Sequence, residues 1–534
     1  MKEQSHTRIR QIVDRYDSMR TIMLAEGILV GIAAGLISAF YRFALGKADE
    51  WRGAVLDFCR GNGLRMASWL IVLIFLAYLV SCLNRWEPMI SGSGIPQVEA
   101  EITGYIRPNW WKVILAKLSG GFLCIIGGLS LGREGPSIQL GGMAGKGVSK
   151  FLKRFRLEEH FLITCGASAG LAAAFNAPMA GVMFALEEVH KNFSAIVMLS
   201  CMSSALVVDY IANGLFGMEP VFSFAVQDMI PLHDYPMIIG LGLLCGVLGV
   251  LYNKVLLASQ TAYGKLDKLP DWGRLAIPFV LAGVLGFTMP AVLGGGHGMI
   301  VQLYNGNLVL GSILALLVVK FLYSMVSFGS GAPGGIFFPL LVLGAYVGSA
   351  YGVILVSGGL LESELLNNII IISMAALFSS IVRAPVTGVV LISEMTGSFS
   401  HLLSLATASL IAYVVADLMG SKPVYESLTE RLLMKQNVKV EKGRSGKKSM
   451  LTCVVEAGSE ADGCRIRDLC LPSRWCLVIS VTRGEEDLIP RGDLELRAGD
   501  TLVTLVQERD MLAMESVMRH KVGLDEDRME NTRS

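Results

Sequence analysis

From Leu275 to Leu361 the chain carries one formally charged side chain, Lys320, and from Met66 to Asn84 it carries none. A bilayer core asks for about 20 mostly apolar residues per helix, so the longer run must hold several spans. The core of a water-soluble domain has no room for so much unbroken apolar chain. The composition agrees: of 534 residues, 53% are apolar and 17% charged, which excludes an ordinary soluble enzyme. With 46 basic against 45 acidic residues the net charge is +1, so nothing points to a nucleic-acid partner. Yet residues 435–534 hold 35 of the 91 charged side chains, which predicts a lipid-embedded part followed by a water-exposed one.

Orientation is read from the flanking charges. Lys2, Arg8, Arg10, Arg15 and Arg20 precede the first apolar run without the early apolar segment of a cleavable signal. Basic residues return at Lys435, Lys439, Lys442, Arg444, Lys447 and Lys448. The positive-inside bias therefore predicts a multi-pass protein of the cell (inner) membrane with both termini cytoplasmic and an even number of crossings. Ten cysteines lie scattered, six in the apolar part and four in the tail, with no CxxC pair or histidine at metal spacing. Free thiols, no metal site and no cofactor are expected.

The apolar part repeats itself. Gly132, Pro136, Gly141 and Gly145 recur 203 positions later as Gly335, Pro339, Gly344 and Gly348. Ala177-Pro178, Gly181-Val182 and Glu187 recur at an offset of 207 as Ala384-Pro385, Gly388-Val389 and Glu394, and Gly92-x-Gly94 has a looser partner in Gly294-x-Gly296. Three blocks in the same order indicate a duplication, the sequence mark of transporters built from inverted repeats around a central site. Each block pairs a Gly-rich break with an apolar run, as helices do that begin inside the membrane. A helix N-terminus offers unpaired N–H groups and about half a positive charge, so convergent N-termini make an anion site without a cationic side chain. Such a site binds loosely enough to release its ion.

The blocks read Gly92-Ser93-Gly94-Ile95-Pro96, Gly132-Arg133-Glu134-Gly135-Pro136 and Gly335-Ile336-Phe337-Phe338-Pro339, followed by Tyr425 near the last apolar helix. Over residues 20 to 435 this set resembles the chloride channel and transporter (CLC) family. The resemblance implies an all-α fold with inverted repeats and broken helices, a homodimer with one pathway per subunit, and a filter formed by these three blocks. It implies chloride held by the Ser93 hydroxyl, the Tyr425 phenol and the backbone N–H groups of Ile336 and Phe337. The one departure is Phe338, where relatives often carry a smaller residue.

A carboxylate at a Gly-flanked helix start can itself occupy an anion position when ionised, and protonation releases it. The resemblance gives Glu134 this part of gate and proton carrier; a bland reading makes it an N-terminal cap paired with Arg133. Glu187 and Glu188 follow the apolar helix Met179–Leu186, and neighbours about 100° apart cannot face one pathway. The resemblance selects Glu188 as the internal proton-transfer residue, whereas charge placement alone would make both glutamates a helix end near His190 and Lys191.

A chloride/proton antiporter is therefore expected, with chloride, protons and membrane lipid as partners. A passive chloride channel and an exchanger for another anion such as fluoride are the alternatives. Ser93 speaks against nitrate, where similar proteins carry proline. Gly166-Ala167-Ser168-Ala169-Gly170 satisfies a hydrolase pattern, but a nucleophile elbow needs a strand, a turn and a base, and this segment reads as small-residue helix, so no enzymatic activity is expected.

In the tail, Leu451–Val455, Cys476–Val481 and Thr501–Val506 are short β-branched runs, while Arg465–Leu469 and Met511–Met518 read as helical, which predicts a compact α+β domain. Ile489-Pro490-Arg491-Gly492-Asp493 and Arg497-Ala498-Gly499-Asp500 resemble the TrkA-type C-terminal domain of potassium transport regulators, which implies control by a small ligand or by dimerisation. No TVGYG filter loop supports potassium conduction. The expected division is 1–20 a cytoplasmic segment, 21–434 the transport domain with repeats near 21–215 and 235–434, 435–449 a basic linker, 450–520 the regulatory domain and 521–534 a tail.

Overall fold

The computed structural model describes residues 2–191, 193–217, 221–222, 229–304, 309–436, 448–469, 471, 476–484, 486–507, 514, 517–518 and 521–522. The chain divides into two compact units, Met1–Val438 and Lys439–Ser534.

The first unit is helical. Its first half holds α1 (Lys2–Cys59), α2 (Gly63–Trp86), α3 (Ile95–Ile102), α4 (Trp110–Ile126), α5 (Glu134–Phe151), α6 (Arg156–Phe175), α7 (Pro178–Phe184) and α8 (Ala195–Phe216). The second half repeats the order as α9 (Tyr235–Gly264), α10 (Asp271–Thr288), α11 (His297–Tyr304), α12 (Leu310–Gly329), α13 (Phe337–Ser357), α14 (Leu366–Val382), α15 (Pro385–Thr396) and α16 (Leu402–Leu418), and α17 (Val424–Lys435) closes the unit. Among the described residues seven helices are long and apolar enough to cross a bilayer, and α15 and α16 are shorter apolar helices. Length alone therefore undercounts the lipid-embedded helices, because broken ones fall below the 20-residue rule.

The two halves are related through their own equivalent residues. Gly132 and Gly335, matched by the repeat, bridge each other antiparallel, with N–H donated to C=O at 2.7 and 2.8 Å. A residue that pairs reciprocally with its own repeat mate lies on a local two-fold axis, so the duplication is inverted. The same reciprocity recurs at α7 and α15. The Glu187 carboxylate accepts from the N–H groups of Val386 and Thr387 at 3.4 and 2.8 Å, while Glu394 accepts from Met179 and Ala180 at 3.0 and 2.7 Å. Each repeat thus caps the helix start of the other. Those starts need it, since a helix N-terminus leaves unpaired donors, and Pro178 and Pro385 in the first turns remove only one donor each.

Small residues set the packing. A Cβ on Gly141 would fall 2.0 Å from the Gly166 carbonyl oxygen, and one on Gly145 equally close to that of Leu162, so α5 and α6 meet backbone to backbone. Gly344 and Gly348 play this part between α13 and α14. The hydrolase-like Gly166–Gly170 segment lies wholly within α6, and its glycines are there for this contact.

The helix expected over Met179–Leu186 ends at Phe184 and continues as a π-turn, Ala185–Val189, which carries both Glu187 and Glu188. Such a wide turn shifts the register of the side chains that follow.

The second unit is an antiparallel sheet, β1 (Lys448–Val454), β2 (Cys476–Arg483), β3 (Glu486–Leu488) and β4 (Thr501–Gln507), in the order β1-β4-β2-β3. Val455, Val481, Leu496, Leu502, Val506 and Met518 are buried together as its core. Arg465–Leu469 is not the helix expected from its pattern. It makes one 3-10 turn, Ile466–Asp468, because the N–H groups of Ile466 and Arg467 are taken by the carbonyls of Leu494 and Gly492, at 3.0 Å each. The short acidic strand β3 was not expected from the sequence. The helix expected at Met511–Met518 and the linker expected at 435–449 fall mostly outside the described residues.

Candidate anion pathway

Gly94, at φ +102° in the left-handed region that favours glycine, stands at the start of α3 and turns the chain so that Ser93 ends a loop rather than a helix. Gly92 ties this loop to the second repeat, its carbonyl accepting the Gly334 N–H at 3.1 Å. The Ser93 hydroxyl comes close to α5, since a Cβ on Gly135 would lie 2.4 Å from its Oγ. Tyr425, in the first turn of α17, reaches the same region because α17 packs on α3. Its ring meets that of Phe184 edge-on at 6.4 Å, and Phe184 in turn meets Phe337 at 6.0 Å. Ser93, Tyr425 and the Ile336–Phe337 start of α13 are thus brought together by the fold.

Two polar atoms of this cluster lack protein partners. Ser93 Oγ and the Tyr425 hydroxyl are buried, and neither has a hydrogen-bond partner among the described residues. Buried hydroxyls are normally satisfied, so two of them beside a helix N-terminus form a donor set suited to an anion. On one side of Ser93 lies a cavity of about 1020 Å³, bordered by Ser91, Gln97, Arg85, Arg431 and Lys435 among others, which gives the cluster a wide and partly cationic approach.

On the other side stands Glu134, the first residue of α5 and 1% exposed. Its carboxylate lies against the backbone N–H of Phe338 in α13 and those of Glu134 and Arg133 at its own helix start. The Arg133 guanidinium is 3.9 Å away but spends a donor on the Ala174 carbonyl at 3.2 Å. Glu134 is therefore placed both beside the Arg133 guanidinium and at two opposed helix N-termini, while its second oxygen has no partner.

Glu187 and Glu188 separate as their positions on the turn demand. Glu187 is used in the cap of α15, where it also accepts the Thr387 hydroxyl at 2.8 Å. Glu188 is 4% exposed, and its Oε1 has no partner. Nearby, Glu99 accepts from Lys191 at 2.5 Å and from the Thr429 hydroxyl at 2.8 Å, so a charged network links α3, the end of the π-turn and α17.

Sequence reasoning missed two buried cations. Lys117 in α4 donates to the carbonyls of Ile90 and Gly92 at 2.8 and 2.7 Å, and Lys320 in α12 to those of Val292 and Gly294 at 2.9 and 2.8 Å. Both side chains are fully buried. They are repeat mates, 203 positions apart, and each grips the first glycine of a Gly-x-Gly block. An ammonium on the Gly92 carbonyl masks a dipole end that would repel an anion beside Ser93. The signal was present in the sequence: one lysine in each long apolar stretch, at the repeat's own spacing.

The profile of voltage gated chloride channels matches residues 75–417, and that of the TrkA-C domain matches residues 450–519. The H(+)/Cl(−) exchange transporter ClcA of Vibrio campbellii is 35% identical over 80% of this chain and 93% of its own length, and that of Cronobacter sakazakii is 32% identical over 82% and 96%. The crystal structure of a slow cyanobacterial Cl−/H+ antiporter superposes with a TM-score of 0.73 at 30% identity, covering 78% of this chain and 99% of that one. The helix order, the inverted repeat and these matches lead to one assignment: the chain belongs to the voltage-gated chloride channel (CLC) family and carries a TrkA-C domain behind it.

Proposed function

We propose that this protein is a chloride/proton antiporter, moving ions in exchange rather than transforming a substrate, and working without a cofactor. The observation that carries the reading is the seat of Glu134: a buried carboxylate held on the N–H groups of two opposed helix starts, beside a cluster whose hydroxyls are unpaired. Donors that hold a carboxylate can also hold chloride, so ion and side chain compete for one position. Protonation removes the charge that seats Glu134, frees the position for chloride, and makes the proton part of the cycle. Ser93, Tyr425, Ile336 and Phe337 would hold the central ion. Glu188, buried with an unpaired oxygen on the π-turn, would relay protons to and from the side of the Ser93 cavity. The names of the relatives, exchangers for H+ and Cl−, support the same ion pair.

The cavity side is read as cytoplasmic, supported by Arg85, Arg274, Arg431 and Lys435 around it, with both termini on that side of the inner membrane. A homodimer is supported by the exposed Leu199, Leu206, Val386, Leu403 and Leu410 on α8, α15 and α16, with α7 packed against both α8 and α15. The TrkA-C domain is read as a regulatory unit for a small ligand. The deciding experiment is flux in proteoliposomes with chloride and pH recorded together: an outward chloride gradient should drive protons uphill, whereas chloride flux without proton movement would make the protein a channel.

A further inference from the structure

Phe338 is the position at which the filter departs from its resemblance, and its side chain is built into a cluster. The ring stacks on Phe175 at 6.3 Å and 19°, and approaches Phe222 at 6.1 Å and His297 at 6.2 Å. Phe222 and His297 stack on each other at 5.8 Å and 14°, and the Phe222 N–H is fastened to the Met395 carbonyl at 3.0 Å. Phe338 and Phe222 are buried, whereas His297 is exposed, so the cluster has an inner and an outer end. The outer end can be assigned to a side. Asp271 begins α10 and pairs with Arg85 at 3.3 Å on the border of the Ser93 cavity. Eighteen helical residues then carry the chain about 27 Å away, so His297, which follows α10, lies at the far side. That is the side of Glu134, whose carboxylate is bonded to the backbone of Phe338 itself.

Resting on the antiport reading above, we infer that Phe338, Phe222 and His297 form an aromatic lid over the Glu134 end of the pathway, and that Phe338 is the positioning residue that sets the turnover rate. The ring is too large to leave a passage while it is stacked, so an ion or the swinging carboxylate must first part it from Phe175, Phe222 and His297. Edge and stacking contacts of this kind hold rings together beyond their burial, which makes the parting a barrier. The lid ring does not hold Glu134 in place, because the Phe338 group that faces the carboxylate is the backbone N–H, which every residue but proline keeps.

The test is Phe338→Ala in vesicles of phosphatidylethanolamine and phosphatidylglycerol, with chloride and protons recorded together beside the wild type. Chloride turnover should rise about tenfold, the factor given by about 1.4 kcal/mol of barrier, with proton uptake rising in proportion. Phe338→Leu should fall between the two. Where Phe338→Ala does not yield folded protein, Phe222→Leu and His297→Ala loosen the same lid from its rim and should each speed turnover. Unchanged or slower turnover in folded protein overturns the inference, as does faster chloride flux that has lost its protons. Failure of the antiport reading is recognised separately, by wild-type protein that moves chloride without protons.

Discussion

Replacing Tyr425 by alanine removes one of the two unpaired hydroxyls of the central cluster together with the ring that stands edge-on to Phe184. A hydrogen bond to a charged group contributes about 1.5–3 kcal/mol, which corresponds to about 10- to 150-fold in a dissociation constant. Since the Tyr425 hydroxyl bonds no protein group among the described residues, its removal strands no buried partner and the loss should fall on the anion. The missing ring carries a separate cost in stability of about 3–5 kcal/mol, so the variant has to be shown folded by gel filtration and thermal denaturation before its affinity is read. Calorimetric titration with chloride should then give at least about tenfold weaker binding, and flux assays should give looser coupling, because an ion that leaves early no longer competes with Glu134. Unchanged chloride affinity in folded Tyr425→Ala would refute the reasoning and move the site away from α17.

Glu134→Ala should keep chloride flux and lose its link to protons, which simultaneous chloride and pH recording would detect; Glu188→Gln should stop proton movement while chloride still crosses, and wild-type behaviour there would shift the role to Glu187 or a water chain. In the tail, Arg483 donates to both oxygens of Asp500 at 2.7 Å each, and this pair holds the Asp500 carboxyl below the usual carboxylate range. Because the folded value is depressed, the stability it contributes is present above the unfolded value near 4 and is lost as pH falls through the folded one. Asp500→Asn should therefore destabilise the β2–β4 sheet at neutral pH by on the order of 2 kcal/mol, reduced by the partial exposure of Arg483, and hydrogen exchange of the strand amides should show the difference from wild type shrinking below about pH 4. Truncation after Asn437 should preserve coupled transport, and an effector of the tail should act on the full chain and be silent on the truncated one; loss of flux from a folded, dimeric truncation would mean that the tail is structurally required.

What the sequence determined by itself is what short-range physics and duplication record. Uncharged stretches such as Met66–Asn84 read as membrane spans, and paired blocks such as Gly132/Gly335 and Glu187/Glu394 report a duplication before any helix is seen. The Gly-rich helix starts could be read as anion sites because backbone chemistry there is local, whereas Ser93, Tyr425, Ile336 and Phe337 were named by the resemblance of the three blocks to the family. What only the tertiary structure decided is which polar groups spend themselves on each other. Glu187 and Glu188 are neighbours of one chemistry, and their separation into a cap for α15 and a buried carboxylate with an unpaired oxygen arises from a π-turn and from a helix 200 positions away. Arg133 stands beside Glu134 in the sequence and in space, but the second helix start that faces the carboxylate, that of α13, is there only once the repeats face each other. Lys320 was visible as a lone charge and Lys117 was not singled out, and their carbonyl partners lie 25 to 28 residues distant, while the lid on Phe338 needs rings from α6, the segment after α8 and the start of α11. Periodicity and propensity extend over a turn or two of chain, whereas capping across repeats, buried-charge pairing and ring stacking are set by which distant segments the packed helices bring together.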